Sequence, residues 1–237
     1  MKVSIALVLS TLLFAQSAAF EAASIKPHPE PVYVSRSSTS GARATWIAAT
    51  LQDLVLEAYG LKYYQVSDGP AWKATAHFDI ETKAEGETAP DKAHFEAMLQ
   101  SLLADRFQLK IHRETRDMPV YALVVGKGGS KLKDADPNGH QGSVMVNATG
   151  VHMNYSHNTM GQLADHLSDT AGRPVLDRTN LPGEYALKLD FSINNGNEFE
   201  NPSMPTALQD QLGLRVESEK APVEILVIDG AEKPSEN

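Results

Sequence analysis

Arg43-Ala44-Thr45-Trp46-Ile47-Ala48-Ala49-Thr50-Leu51-Gln52-Asp53-Leu54-Val55-Leu56-Glu57-Ala58-Tyr59-Gly60 holds a strand, a cap, a helix and a stop in one run. Arg43 to Ile47 reads as the strand. Thr50 then caps a helix, with Asp53 three residues on in the reciprocal capping position. Leu51, Leu54, Val55 and Ala58 recur at the spacing of one buried helical face, and Gly60 ends it. A strand at Tyr63 to Ser67, the turn Asp68-Gly69-Pro70 and a strand through Ala76, Phe78 and Ile80 follow.

The same order returns downstream. Val151, Met153 and Tyr155 alternate as one strand face, and Thr159 caps a helix with Gln162 reaching back. Met160, Leu163, Ala164 and Leu167 form its apolar face, with Gly172 as the stop. Val175-Leu176-Asp177, the turn Pro182-Gly183 and an alternating strand at Tyr185, Leu187, Leu189 and Phe191 come next. Each stretch is followed by another helix, carrying Phe95, Met98, Leu99, Leu102 and Leu103 in the first half and centred on Ala207, Leu208 and Leu212 in the second. Each half then ends in an expected hairpin. One pairs Phe107–Ile111 with Val120–Val124, the other Leu214–Val216 with Val223–Val227, and Pro119 and Pro222 stand just before the second strands. Two matching series make an internal duplication the expected origin. The fold class is therefore α+β, two similar βαββ-plus-helix-and-hairpin units with mostly antiparallel sheets. The units are expected at residues 20–126 and 149–237, with a polar linker at 127–148. Ser35–Ser40 and Ile193–Pro205 read as loop-like inserts, and Glu232–Asn237 as a fraying end.

Residues 1–19 have the three parts of a cleavable signal peptide: Lys2, the apolar run Val3 to Phe14, and Ser17-Ala18-Ala19 before Phe20. The run is too short to span a bilayer, which needs about 20 apolar residues. The expectation is a periplasmic or extracellular protein with no stable membrane insertion after cleavage. Cleavage removes one Lys and no acid, taking the net charge from −9 to −10. That balance repels phosphate backbones, so nucleic acid is not an expected partner. The chain has no cysteine, which excludes thiol catalysis and cysteine-bound zinc.

No catalytic, metal or cofactor constellation emerges. His152 and His157 are five apart and would face opposite ways on a continuous strand. His77 and His112 lie on expected strands among apolar neighbours. Ser130-Lys131-Leu132-Lys133 matches the Ser-x-x-Lys of penicillin-recognising enzymes but lacks a helix start and a downstream Lys-Thr-Gly. Gly126-Lys127-Gly128-Gly129-Ser130 lacks the glycine spacing and the following helix of a nucleotide phosphate loop. What remains is a candidate binding surface. Trp72 and Tyr185 each follow a Gly-Pro or Pro-Gly turn and can line a groove or plug a core. Arg106, His112 and Arg113, with Lys110 and Arg116, form the only cationic stretch. The expected partner is an envelope protein or a small ligand.

Particular motifs carry a resemblance. They are Phe20-Glu21-Ala22-Ala23-Ser24-Ile25-Lys26-Pro27, Gly69-Pro70-Ala71-Trp72 and Phe78-Asp79-Ile80. The most distinctive block is Leu102-Leu103-Ala104-Asp105-Arg106-Phe107 with His112-Arg113-Glu114-Thr115 and Pro119-Val120-Tyr121-Ala122-Leu123. Asp177 to Tyr185 and Val227-Ile228-Asp229 complete the set. Together they resemble the Solibacter-type paralogous family of secreted bacterial proteins, a domain of unknown function. The resemblance implies export and, because similar domains occur appended to beta-lactam-sensor-like membrane metallopeptidases, a sensing or binding role. It supplies no catalytic residue. The leading expectation is a non-catalytic binding or interaction module; the alternative is a hydrolase of cell-wall or polysaccharide material.

Overall fold

The computed structural model describes residues 18–30, 35–136, 138–139, 142–192 and 201–235. The expected signal peptide lies outside the described residues except for Ala18 and Ala19, as does most of the insert at 193–205. In chain order the elements are β1 (Ala22–Pro27), β2 (Arg36–Ser40), β3 (Arg43–Thr50), α1 (Leu51–Tyr59), β4 (Val66–Asp68), β5 (His77–Lys83), α2 (Lys92–Arg106) and β6 (Lys110–Val125). Then come β7 (Lys133–Asp134), β8 (Ser143–Asn147), β9 (Gly150–Thr159), α3 (Met160–Ala171), β10 (Val175–Asp177), β11 (Glu184–Phe191), α4 (Met204–Ala207) with a π turn, and β12 (Leu214–Gly230). The chain is α+β; β1–β5, β3–β5, β2–β3, β8–β9, β9–β11 and β7–β11 pair antiparallel, and β10–β6 pairs parallel.

Two compact units form, neither contiguous in sequence. The first takes the chain up to Leu61, then Asp68–His112, then Ile228 onward; the second takes Lys62–Ser67 and Arg113–Val227.

In the first unit the sheet order is β1-β5-β3-β2. Ala44 and Trp46 point into the core in strand alternation, and a bulge between Trp46 and Ala49 then shifts the phase. At the bulge Ala48 adopts φ 55°, and its N–H donates to Asp79 Oδ1 at 3.0 Å. Leu51, Leu54, Val55 and Ala58 are buried, as their spacing requires, and so are Met98, Leu99, Leu102 and Leu103 of α2. Phe78 and Phe107 meet edge to face at 5.3 Å.

In the second unit the sheet order is β7-β11-β9-β8. Its core joins Val151, Met153, Leu187, Leu189 and Phe191 to the α3 face Met160, Leu163, Ala164 and Leu167. Ser168 ties α3 to β10: its hydroxyl donates to Ala164 O and accepts from Val175 N–H, both at 2.8 Å. A further sheet has the order β10-β6-β12-β4, with β10 parallel to β6.

Both capping boxes form. Thr50 Oγ1 accepts from Asp53 N–H and Asp53 Oδ2 from Thr50 N–H; Thr159 and Gln162 do the same. Gly60 and Gly172 end their helices with φ near 60°.

The expected hairpins do not form. Phe107–Val124 and Leu214–Val227 contain single long strands, β6 and β12, which neighbour one another in the sheet. A tight hairpin turn needs residues at positive φ, usually Gly or Asn. His112–Pro119 and Glu217–Pro222 contain neither residue type, and none of these residues has positive φ. Tyr63–Gln65 is a 3-10 turn, with the strand beginning only at Val66. The polar stretches 35–40 and 127–148 are not plain loops: they supply β2, β7 and β8. β2 and β8 are exposed at every residue, so no apolar alternation marks them.

Candidate functional site

The feature that builds a site is the bulge in β9. Tyr155 pairs with Leu187 and Asn158 with Tyr185, so Ser156 and His157 together face the single residue Ala186. Bulges re-aim side chains and recur beside functional sites. Here the bulge brings Asn158 inward. Asn158 is 3% exposed, and its buried Oδ1 has no hydrogen-bond donor among the described residues. Immediately afterwards Thr159 caps α3, whose first turns add Gly161, Gln162, Asp165 and His166. These residues, with Tyr155, His157 and Gly142, line a cavity of about 560 Å³.

Tyr155 and His166 form one wall. Their rings stack at 5.3 Å with 21° between planes, and Tyr155 Oη lies 2.9 Å from His166 Nε2. Burial raises the Tyr155 phenol above its ordinary value, so it stays neutral at physiological pH and retains its proton for hydrogen bonding. His157 Nδ1 stands 4.0 Å from Glu184 Oε2. Asp165 is committed elsewhere: Lys62 Nζ lies 2.9 Å from its carboxylate and 2.8 Å from that of Asp169. Burial pulls the Lys62 ammonium down, but the hydrogen bonds and charges of Asp169 and Asp165 outweigh it and hold it above its ordinary value.

The wall thus offers a neutral phenol and two imidazoles, with the Asn158 amide among its lining and its carbonyl buried. Such a set suits a polar ligand carrying hydroxyl or amine donors. A buried acceptor without a partner costs about 1–3 kcal/mol, which a ligand donor would recover.

A second arrangement has the outline of a hydrolytic triad. His152 Nδ1 is 2.8 Å from Asp190 Oδ1, and His152 Nε2 is 2.9 Å from Thr149 Oγ1. The proton runs the wrong way for a nucleophile, however. Thr149 Oγ1 also donates to Asn147 Oδ1 at 2.6 Å, and a hydroxyl has one proton to give. Toward His152 it is therefore an acceptor.

The residues expected from sequence are divided. Trp72, Arg106 and His112 belong to the first unit, Arg113 and Tyr185 to the second. The C-terminal segment touches the first three. Asp229 pairs with His112 Nδ1 at 2.9 Å, Lys233 lies over the Trp72 ring at 5.9 Å, and Ser235 O accepts from Arg106 at 3.4 Å. The Glu232 N–H donates to Phe107 O at 2.7 Å, so Glu232–Ser235 is held rather than frayed; residues 236 and 237 lie outside the described residues. Trp72 is half-buried, edge-on to Phe78 at 6.2 Å. In the second unit Arg113 pairs with Glu224 at 2.5 Å, and the Tyr185 hydroxyl donates to Pro182 O at 3.0 Å.

Asn158, Tyr155 and His166 were not visible as site residues in the sequence. The bulge breaks the alternation by which His152 and His157 were assigned opposite faces, and it is a property of the pairing with β11. The one local signal is position: Tyr155 precedes the cap by four residues and His166 follows it by seven. Among the described residues no cluster of three or more His, Asp or Glu is placed to hold a metal ion. Among them, too, no helix is long and apolar enough to cross a membrane.

No curated protein and no solved structure gives a significant match to this chain. Residues 52–231, which include all but the first residue of α1, both long strands and the whole β9–α3 cavity wall, match a family described as protein of unknown function, DUF3738, and the chain belongs to that family.

Proposed function

We propose that this protein is an exported, non-catalytic binding module of the bacterial envelope, recognising a small hydroxyl- or amine-bearing ligand at the Tyr155–His166 cavity. The observation that carries the reading is Asn158, a buried amide at the wall of a polar cavity whose carbonyl has no donor among the described residues. The hydrogen-bonding groups around it are held in place: Gln162 by its capping box, His166 by Tyr155, Asp165 by Lys62. Fixed donors and acceptors are what a ligand-recognition site requires. Export rests on Lys2, the apolar run Val3–Phe14 and Ser17-Ala18-Ala19. A sensing role rests on the resemblance to domains appended to membrane metallopeptidases.

The test is calorimetric titration with a panel of amino sugars and sugar alcohols, comparing the wild type with Asn158→Leu and Tyr155→Phe. Saturable binding that Asn158→Leu abolishes supports the reading. Turnover of any panel member, or binding indifferent to both substitutions, overturns it.

A hydrolytic reading would have to use the Thr149–His152–Asp190 chain, whose hydroxyl proton is committed to Asn147. It requires an ester or glycan hydrolase activity that His152→Ala removes.

A further inference from the structure

The geometry points to an oxyanion site, separate from the Tyr155–His166 cavity, where the Gly126–Lys131 loop and Arg215 receive a phosphomonoester group. The sequence of this loop fails as a nucleotide phosphate loop because no helix follows it. The structure gives its amides another support. Gly126 N–H donates to Gly213 O at 2.8 Å, Gly129 N–H to Gly126 O at 3.0 Å, and Lys131 N–H to Leu212 O at 2.9 Å. These three bonds fold the loop against the turn before β12. The N–H groups of Lys127, Gly128 and Ser130 have no acceptor among the described residues. Adjacent unpaired amides in a turn, here those of Lys127 and Gly128, can form an anion-binding concavity.

Three cations complete it. Lys127, Lys131 and Arg215 line a cavity of about 360 Å³ beside this loop, with Gln209 and Asp210 across it. Lys131 Nζ is anchored by Asp210 O at 2.7 Å. Arg215 is paired with Glu217, but both side chains are nearly half exposed. Such a pair is weak and exchanges readily for a better acceptor. Arg215 also has the planar fork that fits a phosphoryl group. In a chain of net charge −9 this is a local reversal of sign.

Gly128 supplies the second line of argument. Gly213 is glycine because φ is +68° and a Cβ would sit 2.2 Å from Gly129 O; Gly129 has φ +83°. Gly128 has neither reason: its φ is not in the left-handed region, and a Cβ would meet nothing within 4 Å. Its missing side chain leaves the loop backbone open to an approaching ligand, which is the use glycine serves in phosphate cradles.

The experiment titrates the full chain with inorganic phosphate at low salt, followed by ³¹P line broadening and calorimetry, with methyl phosphate and acetate as parallel arms. Saturable phosphate binding is expected. Lys127→Gln with Arg215→Gln should weaken it by about tenfold or more. Gly128→Ala should weaken it measurably with little change in melting temperature, because a Cβ there meets nothing within 4 Å. Lys110→Gln, outside the cavity, should leave binding unchanged. Tighter binding of methyl phosphate than of inorganic phosphate assigns the site to a phosphorylated molecule, the reverse to the free ion, and either supports the site. Failure of the wild type to saturate, acetate binding as tightly as phosphate, or Gly128→Ala and the double variant binding like wild type overturns it. None of these outcomes depends on Asn158, so this site and the amino-sugar reading fail separately.

Discussion

Trp46 donates its indole N–H to the Glu57 carboxylate at 2.7 Å, tying the strand before α1 to the helix it leads into. Tyr155 and His166 make the same tie across β9 and α3 at 2.9 Å, and both pairs span eleven residues. Each aromatic stands four residues before an N-capping threonine, and each strand carries its bulge between that aromatic and the cap. A duplication would produce such matched pairs, and it predicts that the pairs are interchangeable. The double variant Trp46→Tyr with Glu57→His should be more stable than the sum of its single variants by about 1 kcal/mol. Urea denaturation of the four proteins measures this, and strict additivity would count against equivalent pairs.

The caps are also open to test. Thr50→Ala and Thr159→Ala each remove an acceptor for an N3 amide and should each lower stability by about 1 kcal/mol without altering the fold. Thr→Ser at either position should restore most of the loss. If Thr→Ala is neutral at both sites, the capping boxes contribute nothing measurable.

Two glycines with similar backbone angles should behave differently. Gly172 has φ +62° with open space where a Cβ would go, whereas at Gly213 a Cβ would sit 2.2 Å from Gly129 O. Gly172→Ala carries only the left-handed strain of about 1 kcal/mol. Gly213→Ala adds a backbone clash and should cost clearly more, with its melting temperature falling further than that of Gly172→Ala.

Alkaline pH should weaken the packing around the second half of α3. Lys62, Tyr64 and Tyr155 all have folded-state pKa values raised above the ordinary 10.5, 10.0 and 10.0. The two tyrosines are raised chiefly by burial; for Lys62, burial acts downward and Asp169 and Asp165 override it. A group raised on folding contributes stability that is complete below its unfolded value and is lost as pH climbs through the folded one. Melting temperature should therefore hold up to about pH 10 and fall beyond it. Tyr64→Phe should make that fall shallower; an unchanged slope would show that Tyr64 is not responsible.

Removal of the N-terminal segment is expected to stop before Phe20. Phe20 meets Phe95 edge to face at 6.0 Å and packs on the cluster of Ala42, Ala84 and Met98. N-terminal sequencing of protein recovered outside the cytoplasm should begin at or within a residue of Phe20. Protein beginning at Met1 there would remove the basis for export.

What could be read from sequence was local. Thr50 with Asp53, Thr159 with Gln162, Gly60 and Gly172 are settled within a few residues, and the helical faces of α1 and α3 follow from spacing alone. What could not be read depended on a distant partner. β2 and β8 are exposed throughout, so only their pairing with β3 and β9 identifies them. Pro119 and Pro222 suggested turns, yet each lies inside an unbroken strand. The bulge that brings in Asn158 exists only against Ala186, and the His152–Asp190 pair joins residues 38 apart.

The first unit takes its last piece from Ile228 onward, and the second takes its first from Lys62–Ser67. A chain made from its N-terminus can therefore assemble β1-β5-β3-β2 early, but His112 must wait for Asp229, 117 residues later, and Phe107 for Glu232. Closing so long a loop is slow, because its ordering entropy is spent before the contact is made. Until residues 228–235 dock, the face of Trp72, Arg106 and His112 stands without its closing segment. That interval is when a chaperone would find this protein most recognisable, and a truncation at residue 227 would make the interval permanent.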